Sequence, residues 1–459
     1  MMETDQPTSF WQRNKLIIKA FFIGFLILVL LIPTLFIMSL VSDREHRRSE
    51  VVNEVSSKWA NAQTVTGPFL TVPYYVEEKE NDNKSTLRKK LLYILPEELN
   101  VNGKLFPQLR HRSIFNVPVY SSSLQLSGKF KIPKPEKLPV GIAALRFDEA
   151  SICMGISDFK GIGESLQLKW NDTTLDFETG VPDIDWLKDG VSSQLKLKPE
   201  DLTAGTSTFN VNLSLKGSES LYVTPFGNST KVRLESSWNN PAFDGKYLPD
   251  TNTVADSGFT AEWKIMQFNR SYPQYFTSYN EYNISESGFG VRLLQPVDSY
   301  AQTMRSVKYA VLIIALTFFV YFFLEIFYRR SVHALQYILI GFALVIFYTL
   351  LLSISEYLAF GQAYLIAAIA TVVLIGWYTM GIFKKWSIVF LFSLILSMLY
   401  LFIYVLIQLQ DNALLFGSIG LFILLAIIMY FSRRINWNND GKKIETTSSA
   451  HHLNDAKHE

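Results

Sequence analysis

Five long apolar segments follow one another in the last third of the chain. They cover residues 309–328, 335–354, 358–383, 386–408 and 412–431. A helix rises about 1.5 Å per residue, so about 20 apolar residues cross the ~30 Å hydrocarbon core of a bilayer. A soluble core would not need five such segments in a row. The pattern therefore predicts a five-helix transmembrane domain over 308–434.

A sixth apolar segment follows a polar stretch at residues 1–15. It covers 16–41 and is apolar except for Lys19. A cleaved signal peptide has an apolar region of about 7–15 residues and a small-residue cleavage site, and this segment is longer. We therefore predict an uncleaved transmembrane signal anchor, with a kink at Pro33.

Basic residues alternate along the connections between the C-terminal segments. They follow the first, third and fifth segments, whereas the second and fourth connections have no Lys or Arg. The basic residues are Arg329 with Arg330, Lys384 with Lys385, and Arg433 with Arg434. Because Lys and Arg are retained on the cytoplasmic side, this alternation predicts cytoplasmic termini at 1–15 and 435–459. The region between the first two spans is then exported.

The exported region changes its periodicity once. Over 42–61, Val51, Val55 and Trp59 recur every four residues, which predicts a helical stalk. From Thr64 onward, short alternating segments predict strands. Turn signals of the Asn-Gly type separate these segments, at Asn102-Gly103, Lys216-Gly217 and Asp244-Gly245.

The fold class predicted is thus a multi-pass α-helical membrane protein with six spans. A large, mainly antiparallel β domain is inserted over 62–307 and is expected on the outer side of the membrane. The whole chain has 459 residues and a net charge of +2, with its basic residues scattered among acids or at helix ends, so a nucleic-acid partner is not expected. Because Cys153 is the single cysteine, no intrachain disulfide forms.

Few residues of the exported region offer catalytic chemistry. His46 and His111 are its two histidines, about 65 residues apart, and the sequence has no HExxH, CxxC or GxSxG motif. Asp158–Gly163 resembles a phosphate loop only loosely, because it lacks the GxxxxGK[ST] spacing. We therefore predict no metal site, no cofactor and no catalytic residues, and hence a protein that is not an enzyme.

Glu325, Ser355 and Glu356 are the candidate functional residues of the membrane domain. Glu325 lies near the end of the second span, four residues before Arg329, a spacing that favours an ion pair. Glu356 closes the third span, next to Ser355. Charged groups within a bilayer mark functional paths by default, but near span ends they also serve as interfacial anchors. For these residues, the sequence is compatible with interfacial anchoring and with a role in transport or signalling.

A group of aromatic residues near the end of the exported region forms a second candidate. The group consists of Tyr272, Tyr275, Phe276, Tyr279 and Tyr282 in a polar context. Aromatic platforms bind glycans or peptides, or enter the bilayer surface. The alternative is an edge segment packed on the sheet.

Several sequence pieces resemble the CreD family of bacterial inner-membrane proteins, also called cell envelope integrity proteins. They are Gly67–Pro73, Gly161–Gly163, Ser237–Phe243 with Tyr247–Pro249, Ser257–Phe259 with Trp263, Val307–Phe318 with Glu325, His333–Tyr337, Phe347–Leu352, Ser355-Glu356 and Ile435–Trp437. The resemblance covers nearly the whole chain and is weaker around 270–283 and 378–410. It implies membership of a sensor-kinase-controlled regulon linked to envelope stress, β-lactam response and colicin tolerance. It brings no catalytic activity and no active site.

Three functional hypotheses follow. The first is a non-enzymatic inner-membrane protein that supports cell envelope integrity and the envelope-stress response. The second is a transporter-like membrane protein with a regulatory periplasmic domain, and the third is an enzyme acting on envelope polymers. The partners expected are the lipid bilayer and other envelope proteins or peptidoglycan. The sequence names no ligand and no oligomeric state.

Overall fold

Apolar helices and two β-sheets make up the computed structural model, which describes residues 15–80, 84–131, 145–197, 205–277, 282–294, 299–328, 331–409 and 412–433. Of the termini predicted at 1–15 and 435–459, residues 1–14 and 435–459 lie outside these ranges. The chain forms two units. One unit, the β unit, is His46–Val297, and the other, the membrane unit, contains the residues up to Glu45 and those from Asp298 onward.

Seven α-helices are described. The first, α1, is a single helix of 45 residues that begins in the membrane unit and ends in the β unit. The helices are α1 (Lys15–Trp59), α2 (Ser299–Lys308), α3 (Ala310–Tyr328), α4 (Ala334–Ser355), α5 (Phe360–Phe383), α6 (Trp386–Gln408) and α7 (Ala413–Ser432). All except α2 are long and apolar enough to cross a membrane, which confirms the six-span fold.

The short helix α2 packs against α4, α5 and α6. Its buried positions include Thr303, Ser306 and Val307, and its last turn carries Arg305 and Lys308. Basic residues in the last turn interact favourably with the negative end of the helix dipole. The helix therefore presents positive charge at the end of the bundle where α3 begins.

The β unit contains two sheets. The first has the order β13-β17-β11-β1-β5-β9-β8, with β2 paired to β1 and β16 paired to β2. Its strands are β1 (Gln63–Glu80), β2 (Lys84–Ile94), β5 (Ser151–Ile156), β8 (Glu178–Thr179), β9 (Gly190–Gln194), β11 (Ser220–Val223), β13 (Pro241–Gly245), β16 (Tyr275–Thr277) and β17 (Phe289–Leu293).

The second sheet has the order β14-β15-β12-β3-β4-β10-β6-β7. Its strands are β3 (Glu98–Arg112), β4 (Phe115–Phe130), β6 (Gln167–Trp170), β7 (Thr173–Asp176), β10 (Ser207–Ser218), β12 (Ser229–Ser236), β14 (Thr251–Ala255) and β15 (Gly258–Met266). Only β1 with β11 and β3 with β12 pair in parallel among the described strands. The prediction of a mainly antiparallel β domain is confirmed.

Two of the predicted turns are wrong. Asn102-Gly103 lies inside β3, where Gly103 pairs with Leu124 and Leu234 of the neighbouring strands. A Cβ at Gly103 would lie 2.6 Å from each of these leucine side chains. Gly103 is thus required by close packing rather than by a turn.

Lys216-Gly217 likewise lies inside β10. Gly217 faces the Tyr120 ring, which leaves no space for a side chain. The chain turns instead at Glu219, between β10 and β11, where φ is +61°. A sequence of the Asn-Gly type does not show whether the glycine lies in a turn or in a closely packed strand, because both places require a residue without a Cβ.

One hydrophobic core joins the two sheets of the β unit. Val72 and Ile152 of the first sheet and Val101 and Leu126 of the second sheet are fully or almost fully buried in it. Cys153 lies in the same core, and burial raises the pKa of its thiol to about 12. The thiol therefore stays protonated and unreactive at neutral pH.

Candidate functional site

Glu325, near the end of α3, collects three hydrogen-bond donors from three parts of the chain. Its Oε1 accepts from the Lys19 ammonium of α1 and from the Val332 backbone N–H at 3.1 Å. Its Oε2 accepts from the Tyr337 hydroxyl of α4 at 2.9 Å. The Glu325 side chain is 11% exposed and that of Lys19 20% exposed. We call these four residues the Glu325 cluster.

Lys19 is as fully bound as Glu325. Its ammonium also donates to the Val332 carbonyl at 2.7 Å and lies 5.7 Å from the centre of the Tyr337 ring. The Val332 backbone thus donates its N–H to the Glu325 carboxylate and accepts a hydrogen bond from the Lys19 ammonium at its carbonyl. The cluster fixes the start of α1, the end of α3 and the connection to α4 in one arrangement. Groups that are charged and poorly hydrated need this degree of pairing.

The sequence identified Glu325 as a candidate but did not point to Lys19 as a partner. We expected Arg329, which lies outside the described residues, as the nearest base at helical spacing. Among the described residues, the structure gives Lys19 as the charged partner, 306 positions away along the chain. Lys19 was visible in the sequence as the one charge in an apolar segment, and that was its only signal.

Glu356 lies at the opposite end of α4, as its C-cap. A carboxylate is unfavourable at the negative end of a helix dipole. Arg44 of α1 offsets this charge, with its Nε 3.4 Å from Glu356 Oε1. The neighbouring Ser355 is buried, and its hydroxyl donates to the Leu352 carbonyl at 2.9 Å. α1 is therefore paired to the rest of the membrane unit near both of its span ends.

Tyr272 of the aromatic group is a core residue of the β unit, with 2% of its surface exposed. Its hydroxyl lies 3.2 Å from the Pro225 carbonyl and 3.1 Å from the Ser287 hydroxyl. Burial raises the pKa of Tyr272 to about 12. The Arg270 guanidinium stacks 4.7 Å from its ring centre. Such a buried ring offers no surface platform.

The other members of the aromatic group divide between core and surface. Phe276 is buried, and Tyr275 is half-buried on β16, which pairs with β2. Tyr282 packs partly against the core, and Tyr279 lies outside the described residues. In the part of the segment that is described, the edge-packing alternative accounts for the contacts.

The end of α1 is tightly bound within the β unit. The Trp59 ring lies between the Arg110 guanidinium, at 4.7 Å, and the Lys216 ammonium, at 5.1 Å. Its indole N–H donates to the Tyr120 carbonyl at 3.3 Å. The preceding turn adds Lys160 Nζ, which donates to the Ser57 carbonyl at 2.9 Å. Periodicity predicted an apolar helix face here but not this cation–π pairing.

The histidines of the β unit lie on its surface. His46 is 80% exposed on α1, where it neighbours Glu50 at 3.5 Å, and His111 is exposed on β3. Across the described ranges, no three His, Cys, Asp or Glu side chains come together as a group able to hold a metal ion.

Six membrane-length helices and an inserted two-sheet unit define a multi-pass membrane protein with a large β domain between its first and second spans. Residues 15–438 match the family model described as "Inner membrane protein CreD". The chain is 31% identical to the inner membrane protein CreD of Escherichia coli K12 over 415 residues, 90% of this chain and 91% of that protein. The chain belongs to the CreD family.

Solved structures add little to this assignment. An M1 zinc metallopeptidase from Deinococcus radiodurans aligns over 38% of each chain, with 13% identity and a TM-score of 0.19. A TM-score this low carries no argument about fold or activity.

Proposed function

We propose that this CreD-family protein is a non-enzymatic brace of the bacterial inner membrane that supports envelope integrity and the response to β-lactam and colicin stress. The observation that carries the proposal is the continuity of α1. This one helix is bound in the membrane unit at Lys19 and Arg44, and in the β unit at Ser57 and Trp59. The part of α1 from Arg44 to Trp59, which connects the two sets of contacts, is helical throughout and contains no Pro or Gly, because Pro33 lies N-terminal to it.

The Glu325 cluster favours bracing over transport. Both carboxylate oxygens of Glu325 accept protein donors, and Lys19 is bound to protein acceptors. A transported ion or proton would need to displace these partners. The cluster is better suited to holding α1 in place, which is the anchoring alternative for Glu325. The β unit is the part of the chain that would meet other envelope proteins or peptidoglycan.

The proposal includes an orientation, with both termini in the cytoplasm and the β unit in the periplasm. The alternation of basic connections supports it. Reporter fusions that are active only outside the membrane are expected to work at residue 150, near 357 and near 410. They should fail near 331, 385 and 440. Reporter activity at 385 would contradict this topology.

The absence of enzymatic turnover is tested by complementation of a deletion strain. His46→Ala combined with His111→Ala should still restore resistance to detergent and β-lactam, because both side chains are exposed and bind nothing needed for bracing. A variant that lacks the β unit should not restore this resistance. If the double variant lost function while it remained folded and abundant, the enzyme hypothesis would replace the brace.

A further inference from the structure

A groove of about 490 Å³ runs between α5 and α6 and is open at the side of the helix bundle. Its side chains include Gly361, Tyr364, Leu365 and Val373 of α5 and Ser397 and Tyr404 of α6. Leu365 and Val373 are 60% and 63% exposed. Small-molecule sites in proteins enclose about 300–1,000 Å³, so the groove has the size of a ligand site.

The length of the groove along α5 is similar to the thickness of one leaflet of a bilayer. From Gly361, in the first turn of α5, to Val373 there are twelve helical steps, about 18 Å at ~1.5 Å per residue. Half of the ~30 Å hydrocarbon core is about 15 Å. The groove therefore runs from one end of the bundle to about the middle of the membrane, which is the reach of one phospholipid acyl chain.

The polarity of the groove changes along this length. At its outer end, near Gly361, the Tyr404 hydroxyl lies over α5, because a Cβ on Gly361 would be only 2.9 Å from it. The centre of the Tyr404 ring lies 5.2 Å from that of the Tyr364 ring, and the two rings are tilted by 46°. The deep end is lined by Ile369 and Val373. Tyrosines prefer the membrane interface, so the outer end matches the depth of a lipid headgroup.

Positive charge lies at the same end of the bundle. Helix α2, which packs against α4, α5 and α6, carries Arg305 and Lys308. Among the described residues of these four helices and the α4–α5 connection, the sole carboxylate is Glu356, which is bound by Arg44. The charge that α2 carries at this end of the bundle is thus complementary to a phosphate group.

We propose that the groove between α5 and α6 binds one acyl chain of an anionic phospholipid, with the lipid phosphate toward Arg305 and Lys308. The site is independent of the bracing function, because none of its residues belongs to the contacts that hold α1. It would make the protein selective for the lipid composition of the surrounding leaflet.

The test uses the full-length protein, purified in mild detergent and titrated with phosphatidylglycerol or with phosphatidylcholine of the same acyl chains. Native mass spectrometry counts the retained lipid. The wild type should retain phosphatidylglycerol about tenfold more tightly, because basic groups near the surface attract anionic lipid. Arg305→Gln with Lys308→Gln should remove this preference and leave the weaker binding of both lipids in place.

Groove-filling variants test the position of the chain. Ser397→Trp places an indole in the groove and should lower phosphatidylglycerol retention about tenfold. Met398→Trp is the matched control, because Met398 is the next residue, is 64% exposed and does not line the groove. It should change retention less than about twofold. Val373→Trp repeats the test at the deep end if Ser397→Trp proves unstable.

Two results would overturn the proposal. Equal retention by the groove-filling variants and by Met398→Trp would mean that the retained lipid covers the bundle without occupying the groove. Equal retention of phosphatidylglycerol and phosphatidylcholine by the wild type would remove the role of Arg305 and Lys308.

Discussion

Replacing Glu325 by alanine is expected to destabilise the membrane unit by about 3–5 kcal/mol, the usual cost of removing one partner of a poorly hydrated ion pair. The variant leaves the Lys19 ammonium without a counter-charge. It also leaves the Val332 N–H and the Tyr337 hydroxyl without their acceptor. Thermal unfolding of the full-length protein in detergent, together with its steady-state abundance in membranes, measures the effect.

Two variants make this prediction specific. Glu356→Ala removes the other carboxylate that pairs with α1 and should cost no more than about 1 kcal/mol, because Arg44 is 47% exposed and gains hydration in exchange. Lys19→Met combined with Glu325→Gln removes both charges and should recover much of the loss seen for Glu325→Ala. Equal destabilisation by Glu325→Ala and Glu356→Ala would show that the Glu325 cluster contributes no more to stability than the Arg44–Glu356 pair.

Replacing Trp59 by alanine should lower the unfolding free energy of the fragment 46–297 by about 2 kcal/mol. A fully buried aromatic side chain costs about 3–5 kcal/mol on truncation, and Trp59 is half-buried. The variant also removes the ring between Arg110 and Lys216 and the hydrogen bond to the Tyr120 carbonyl. Urea unfolding followed by circular dichroism, with strand exceeding helix in the folded spectrum, provides the measurement.

The control for Trp59 is its neighbour Lys58. Lys58 is 71% exposed and pairs with Glu54 within the same helix, so Lys58→Ala should change stability by no more than about 0.5 kcal/mol. Trp59→Phe should fall between the two, since it keeps an aromatic face and loses the indole N–H. If Trp59→Ala behaved like Lys58→Ala, α1 would not be firmly held by the β unit.

The overall architecture was predictable because it rests on hydrophobic periodicity. Apolar segments of about 20 residues have one stable outcome in a bilayer, and alternation with period 2 has one outcome in a sheet with a buried face. Sequence reasoning therefore found the six spans and the mainly antiparallel β domain. It missed β3 because Gly103, a glycine enclosed by Leu124 and Leu234, looks like a turn glycine.

The contacts on which the proposed bracing depends were less predictable, since they join residues far apart in the chain. Lys19 with Glu325, Arg44 with Glu356 and Trp59 with Arg110 depend on how helices and strands meet in three dimensions. Local spacing pointed to Arg329, which lies outside the described residues, and it left Tyr272 open between a surface platform and packing on the sheet, whereas the structure buries Tyr272. Sequence reasoning could single out Glu325 and Glu356 as charges near span ends, but their partners Lys19 and Arg44 required the fold.

The bracing account depends on the rigidity of α1 between the membrane unit and the β unit. It is tested by seven-residue insertions after His46, at an exposed part of the helix with the contacts at Arg44 and Trp59 left on either side. One insertion is Gly- and Ser-rich and flexible, and the other is built from Ala, Glu and Lys and continues the helix for about two turns. Both add the same number of residues.

The deciding measurement is the resistance of a deletion strain to detergent and β-lactam when it carries either insertion at matched abundance. The account predicts that the helical insertion restores resistance close to the wild-type level and that the flexible insertion leaves the strain as sensitive as the deletion. Equal restoration by both insertions would contradict the account, because the β unit would then act without a rigid connection to the membrane.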